Sequence, residues 1–324
     1  MIKSKNQPLI SYIITIYNKE KYIRHVIEAV LSQAHNYRFE IILINDGSTD
    51  DSLNILESFS KKDERIFLFN QANKGPPFSC NLGLKHATGK FIKFVDGDDI
   101  LVPNATANLI KPFLKKTDLP ILTFSRNVNT FNKLDYSLEE FFKNNKLSSY
   151  QNKNNSYVYY KSFLERSLHV SNMNLSCTLF KKESIESFGG CNEKIFCPDY
   201  FVELMMSAKG PFVESNNLIF YNPIEDTSRI SENESQVLHD LNFALQEFFL
   251  VNKELSCLYG KKSLKRAASR QLNYLKKYSW NQINLEVLYL YLLTTFKLVP
   301  VDESSFSRTR LAFKDIKFPN GLKN

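Results

Sequence analysis

Short runs of consecutive apolar residues alternate along the first half of the chain with stretches in which apolar residues recur every three or four positions. Leu9 to Ile16 (LISYIITI) is rich in β-branched and aromatic residues and predicts a buried strand. Ile23, Val26, Ile27, Val30 and Leu31 follow at helical spacing and predict a helix over 19–33, with Asn18 as its cap. The alternation continues with strands at Phe39 to Ile44, Arg65 to Phe69, Phe91 to Val95 and Leu119 to Ser125. Between them the pattern predicts helices from Asp50 or Asp51 to Ser60 and from Ser79 to Ala87, the latter closed by Gly89 as a C-cap glycine. Pro103 suits the first turn of the next helix. Strands alternating with helices imply an α/β fold with a doubly wound, mostly parallel, Rossmann-like sheet, whose ligands bind beyond the carboxyl ends of the strands.

The second half reads differently. Residues 126–172 are rich in Asn, Lys and Tyr and predict a polar insertion or lid, with a short helix near Leu138 to Phe142. A strand is expected at Asn174 to Phe180, a turn at Gly189-Gly190, and a helix from Tyr200 to Ala208 closed by Gly210. From residue 232 to 324 the apolar spacing is mainly helical. The expected division is a catalytic unit over 1–231 and a basic helical extension over 232–324.

Charge sharpens that division. Residues 251–324 hold 14 Lys+Arg and 5 Asp+Glu, a balance of +9, whereas the first 250 residues hold 28 and 29. The extension therefore carries the whole excess and is expected to stand outside the chemistry. A basic surface favours an anionic partner. The run 261–277 is read as a helix with one packed face and one face for an anionic membrane or a partner protein. It has no aromatic-interleaved platform, so no nucleic-acid partner is expected. The five cysteines (Cys80, Cys177, Cys191, Cys197, Cys257) lack CxxC pairing and read as reduced thiols. The five histidines show no ligand spacing. Met1 to Pro8 is polar, and the apolar run Val287 to Phe296 is about half of the ~20 residues a membrane span needs. A cytoplasmic protein, peripheral on the inner face of the membrane, is the expectation.

Two acidic turns stand at strand ends, Asn45-Asp46-Gly47-Ser48 and Asp96-Gly97-Asp98-Asp99. Read from the residues alone, the second is either a solvated turn or a site for a hard divalent cation that relieves the repulsion of three carboxylates. The first is either a turn with a helix cap or part of the same site. Neither GxGxxG nor GxxxxGK[ST] occurs in the chain.

Four segments together resemble the family 2 glycosyltransferases of GT-A fold: Ser11 to Tyr22 (SYIITIYNKEKY), Asn45 to Ser52 (NDGSTDDS), Asn73 to Ile100 (NKGPPFSCNLGLKHATGKFIKFVDGDDI) and Gly189 to Gly210 (GGCNEKIFCPDYFVELMMSAKG). The resemblance spans about residues 8–231. It implies that Thr15, Ile16, Tyr17 and Asp46 line a nucleoside pocket. Asp96 and Asp98 match the DxD element, for ribose and for Mn2+ or Mg2+ on a diphosphate, and Asp99 completes the DxDD form. Asp199 matches the catalytic base. The implied activity is a metal-dependent, inverting hexosyltransferase reaction from a nucleotide-sugar, UDP-sugar first among them. Its acceptor would be a hydroxyl of a glycan, a lipid-linked molecule or a protein in polysaccharide biosynthesis. Pro198 and Cys80 depart from the family pattern, which often has Glu and Arg there. The alternatives are a nucleotidyltransferase on a similar sheet and a catalytically silent GT-A scaffold bound to a membrane or partner through its basic tail. Arg229, Glu225 and Asp226 sit where the family often offers a basic group to the diphosphate. Tyr157, Tyr159 and Tyr160 suit either sugar stacking or lid packing.

Overall fold

The structure is a computed structural model that describes residues 9–33, 37–114, 120–134, 137–145, 156–224, 233–278, 283 and 285–319. Arg229, Glu225 and Asp226, and also His35 and Trp280, lie outside the described residues.

Strands β1 (Leu9–Ile16), β2 (Arg38–Asp46), β3 (Ile66–Gln71) and β4 (Phe91–Asp96) form the parallel half of an eight-stranded sheet. Two short strands, β5 (Ile100–Leu101) and β7 (Asn129–Phe131), pair with β11 (Phe220–Pro223) in a small second sheet. The large sheet is completed by β6 (Leu122–Ser125), β8 (Tyr157–Tyr160), β9 (Thr178–Lys181) and β10 (Phe212–Ser215), in the order β3-β2-β1-β4-β9-β6-β10-β8. β9 runs antiparallel to both β4 and β6, and β8 is an antiparallel edge strand on β10. Within 126–172 the described parts are thus β7, a helix over Leu138–Asn144, β8 and a helix over Leu164–His169. The Tyr157 and Tyr160 hydroxyls donate to Asn108 O and Glu214 Oε2, while Tyr159 is exposed.

Helices cover both faces because the buried strands are apolar on both. Ile10, Tyr12, Ile14 and Ile16 of β1 pack with α1 (Ile23–Ser32), α2 (Ser52–Ser60) and α4 (Ala105–Leu114). Ile13, on the opposite side, packs with α3 (Pro76–His86). Numbering onward, Leu138–Asn144 is α5, Leu164–His169 is α6, Lys182–Glu186 is α7 and Asp199–Ser207 is α8. The C-terminal helices are α9 (Glu234–Val251), α10 (Lys261–Tyr278), α11 (Leu285–Thr295) and α12 (Glu303–Arg308). Helix α8 joins two cores. Val202 and Met206 face the sheet layer, while Phe201, Leu204 and Met205 pack against the helices of the extension.

Several expected boundaries move for identifiable reasons. Helix α1 begins at Ile23 rather than after Asn18, because Asn18 is spent on the neighbouring turn. It adopts φ +52°, its N–H donates to Ser48 Oγ, and its Oδ1 accepts from Thr49 N. Helix α3 starts at Pro76, where proline at the first positions loses no helical hydrogen bond, and it ends on Ala87. Helix α4 starts after Pro103, at Ala105, and α8 closes on Ala208 rather than Gly210. Gly89 is therefore no cap. It is glycine because the chain passes directly over β1, where an added Cβ would stand 2.6 Å from Ser11 Oγ and 2.8 Å from Leu9 O. Backbone cannot yield there as a flexible side chain would. Gly89→Ala is expected to destabilise the fold by about 1–3 kcal/mol, read as a lower urea midpoint at unchanged slope.

Candidate active site

The parallel pairing aligns the candidate residues along one rim. Thr15 is in register with Asp96 on one side and with Ile44 on the other, Ile16 with Asn45, and Asp46 with Gln71. Thr15 is half-buried and Tyr17, just past the strand, is exposed. Ile16 sits in the core, so it offers the rim its main chain.

Asp46 is buried and organises the loop after β3. Its Oδ1 accepts from Gln71 Nε2 at 2.8 Å and from Lys74 N at 2.9 Å, and its Oδ2 accepts from Gly75 N at 2.8 Å. An ionised carboxylate accepts about four hydrogen bonds, so one lone-pair site remains beyond these three. Gly47 turns the chain with φ +72°, and a Cβ there would lie 2.7 Å from Asn73 N.

The Asp96–Asp99 turn is closed by a bond from Asp99 N to Asp96 O at 3.0 Å. Asp96 is exposed at the end of β4, while Asp98 and Asp99 are buried. Lys19 lies across Gly97 and holds Asp98 Oδ2 at 2.9 Å. Beneath the turn sits Lys93, a fully buried lysine that the sequence motifs did not single out. Its Nζ donates to Phe94 O and Ser176 O. Burial pushes its pKa down to about 8, while Cys177, Asp99 and Asp96 favour its charged form. An isolated lysine in the apolar run FIKFV was the one visible signal.

Asp199 reaches the same rim from the far side of the sequence. Its Oδ1 accepts from Leu175 N at 2.8 Å, and the adjacent Ser176 Oγ accepts from Asp96 N at 3.0 Å. The turn Leu175–Cys177 thus links the two acids through consecutive residues. Burial raises the Asp199 carboxyl above its ordinary range, and bonds from Leu175 N and its own N–H offset part of the rise. One turn further along α8, Glu203 is fully buried and accepts from Ser167 Oγ, Asn172 N and Asn172 Nδ2. Burial pushes Glu203 up to about 7. It pins the 171–173 segment that leads into the linking turn. Cys80, on α3, packs into the core against Cys191 instead of lining the rim, and the contact with Cys191 together with burial raises its thiol.

The helical extension does not stand outside this site. Asp240, buried on α9, accepts from Cys197 N at 2.8 Å and from Gln236 Nε2 at 3.0 Å, and His239 Nδ1 lies 2.8 Å from its Oδ1. Glu247, two turns on, accepts from Asn192 Nδ2 at 3.0 Å and from Lys194 Nζ at 3.3 Å. Helix α9 therefore fixes the loop that delivers Asp199. Asp240→Asn turns one acceptor oxygen into a donor against donors, and is expected to cost about 1–3 kcal/mol of stability. Amide exchange at Cys197 rising more than exchange in β1 would locate the effect.

Asp96 and Asp98 carry hard carboxylate oxygens. Mn2+ and Mg2+ are commonly held by one or two carboxylates and complete their shell with water and substrate phosphates, so the donor chemistry fits such an ion. Among the described residues no cluster of three or more His, Cys, Asp or Glu is gathered for a metal.

The sheet, its acid-bearing rim and the helical region define a GT-A glycosyltransferase fold. The structure of S. aureus TarS 1–349 in complex with UDP-GlcNAc superposes on 97% of this chain, with a TM-score of 0.62 at 15% identity, and 99% of that chain is covered. The mannosyltransferase PcManGT from Pyrobaculum calidifontis, solved with GDP-Man and Mn2+, matches with a TM-score of 0.54 at 14% identity, over 96% of this chain and 89% of that one. The family model of glycosyl transferase family 2 matches residues 11–188, more than half of the chain, and the chain belongs to that family. Chondroitin synthase from Escherichia coli is 28% identical over 86% of this chain. An uncharacterized glycosyltransferase of Rickettsia bellii is 45% identical over 29% of it. The matched stretches span 37% and 14% of those relatives' own lengths.

Proposed function

We propose that the chain transfers a hexosyl group from a nucleotide-sugar, a UDP-sugar first, to a hydroxyl of a glycan, lipid-linked or protein acceptor, with inversion at the anomeric carbon. One observation carries the reading. Asp46, the Asp96–Asp98 turn and Asp199 come from three separate segments to one sheet rim, and the Leu175–Cys177 turn joins Asp96 to Asp199.

In this reading Thr15, the Ile16 main chain and Tyr17 border the nucleoside. Asp46 uses its remaining lone-pair site for a base N–H. Asp96 approaches the ribose, and Asp98 with Asp96 would hold Mn2+ or Mg2+. The ion, when bound, neutralises charge developing on the leaving diphosphate. Asp199 takes the proton from the attacking acceptor hydroxyl, and its raised pKa suits a general base. The hydroxyl oxygen bonds to the anomeric carbon as the bond to the diphosphate oxygen breaks. One displacement on one face inverts the centre.

The catalytic unit over 1–231 and the extension over 232–324 belong to this reading as a working division. So do a place in polysaccharide biosynthesis, a cytoplasmic location, and a peripheral contact with an anionic membrane. A panel of nucleotide-sugars, assayed with Mn2+ and with EDTA, tests it through the released product. Nucleoside diphosphate released only with metal supports the reading. Sugar 1-phosphate and nucleoside triphosphate formed when pyrophosphate is added would favour a nucleotidyltransferase instead, and no turnover with any donor or acceptor would favour a silent scaffold.

A further inference from the structure

Helix α11 is apolar on two faces, and the fold uses one of them. Leu290 and Thr294 are buried, with Tyr291 and Leu293 packed beside them against the helical core. The other face carries Leu285, Leu288, Tyr289 and Leu292, and Phe296 continues it one turn on. These positions recur every three or four residues, so they form a single stripe. The stripe is open to solvent: Leu285 is 85% exposed, Tyr289 58%, Leu292 51% and Phe296 69%. Leu298, at 70%, extends it, and Leu311, at 69%, flanks a groove of about 240 Å³ that α11 shares with Arg308 and Lys314. A contiguous exposed apolar patch on a folded protein marks an interaction surface.

Charge selects the partner. Lys297 directly follows Phe296 and is exposed. Helix α10 packs against α11 and turns Leu264, Ala267, Ala268, Leu272 and Leu275 inward, leaving exposed Lys261, next to the Gly260 that packs on Val301, and Lys276, next to Leu275 of the groove. The acid on α11, Glu286, lies 3.6 Å from Arg308. The region from 251 onward carries +9. An apolar stripe of Leu, Tyr and Phe bordered by lysines matches the boundary between acyl chains and anionic headgroups. Among the described residues no helix is long and apolar enough to cross a membrane, and α11 is about 16 Å long.

We propose that the outer stripe of α11 beds into the surface of an anionic bilayer, with the lysines of α10 and Lys297 meeting the headgroups. This deepens the membrane contact in the proposed function. It moves the seat of that contact from the basic run 261–277, whose apolar residues are buried, to the neighbouring helix.

Vesicle flotation of the full chain tests it, with vesicles of phosphatidylcholine alone or mixed in equal parts with phosphatidylglycerol. The expected result is binding to the mixed vesicles, weakened by salt and near absent with phosphatidylcholine alone. L288E/L292E should lower binding at least tenfold, and K261E/K276E should weaken it and reduce its salt dependence. L288A/L292A, expected to keep the wild-type circular dichroism spectrum, should give an intermediate loss. No binding to anionic vesicles overturns the proposal, as does binding indifferent to the leucine variants. A dimer in light scattering that L288E/L292E converts to monomer overturns it in favour of a second copy. No donor or acceptor is present, so the outcome is independent of the catalytic assignment.

Discussion

Asp199→Asn should lower kcat by about 10²–10⁴-fold while leaving the KM for the donor nearly unchanged. The substitution is isosteric. Asparagine keeps a carbonyl oxygen that accepts from Leu175 N, so the turn linking position 199 to Asp96 stays closed. What disappears is a group able to take the acceptor proton. The pH profile separates this from a structural defect. Burial raises the wild-type carboxyl, so the base is lost to protonation at a higher pH than for an exposed aspartate near ~3.9. The wild-type rate should fall as pH drops through that raised pKa. The residual activity of the Asp199→Asn variant should show no such limb. Steady-state kinetics over a pH series reads both effects.

Asp98→Ala is the second large effect, expected to cost about 10²–10³-fold in kcat, the usual scale for removing one preorganised charge partner of a transition state. Asp98 is buried and ion-paired with Lys19, which lies over Gly97 and in turn donates its backbone N–H to Ser52 Oγ. Truncation therefore removes the carboxylate proposed to hold the cation and also releases the lysine that orders the β1 end against the second acidic turn. Titrating Mn2+ against the variant should require a much higher concentration for half-maximal activity, or give none. Unchanged activity in EDTA for the wild type would remove the metal from the account.

The parallel half of the sheet was readable because its strands are buried on both faces. LISYIITI, FEIILI and FIKFV are near-continuous apolar runs with no helical period, and they became β1, β2 and β4. The rim acids were readable because Asp46 and Asp96 terminate those runs. Interactions across long sequence separations were not. Asn18 looks like a helix cap in isolation, and only its contact with residues 48 and 49 explains why it is not one. Gly89 looks like a C-cap until β1 is seen passing beneath it. Asp240 gives no local signal at all, because its partner Cys197 is 43 positions away. The +9 of the C-terminal region was visible at once. That α9 braces the Asp199 loop, and that α11 keeps an unburied apolar face, depends on which faces the packing leaves over.

The most direct test of the central claim is the structure of the product made from an α-linked UDP-sugar, in the presence of Mn2+, followed by proton NMR of the anomeric centre together with the nucleotide released. Inverting transfer gives a new β-glycosidic bond, free UDP in equal amount, and neither product from Asp199→Asn at comparable rate. An α-linked product, or UMP and sugar 1-phosphate in place of UDP, would contradict it.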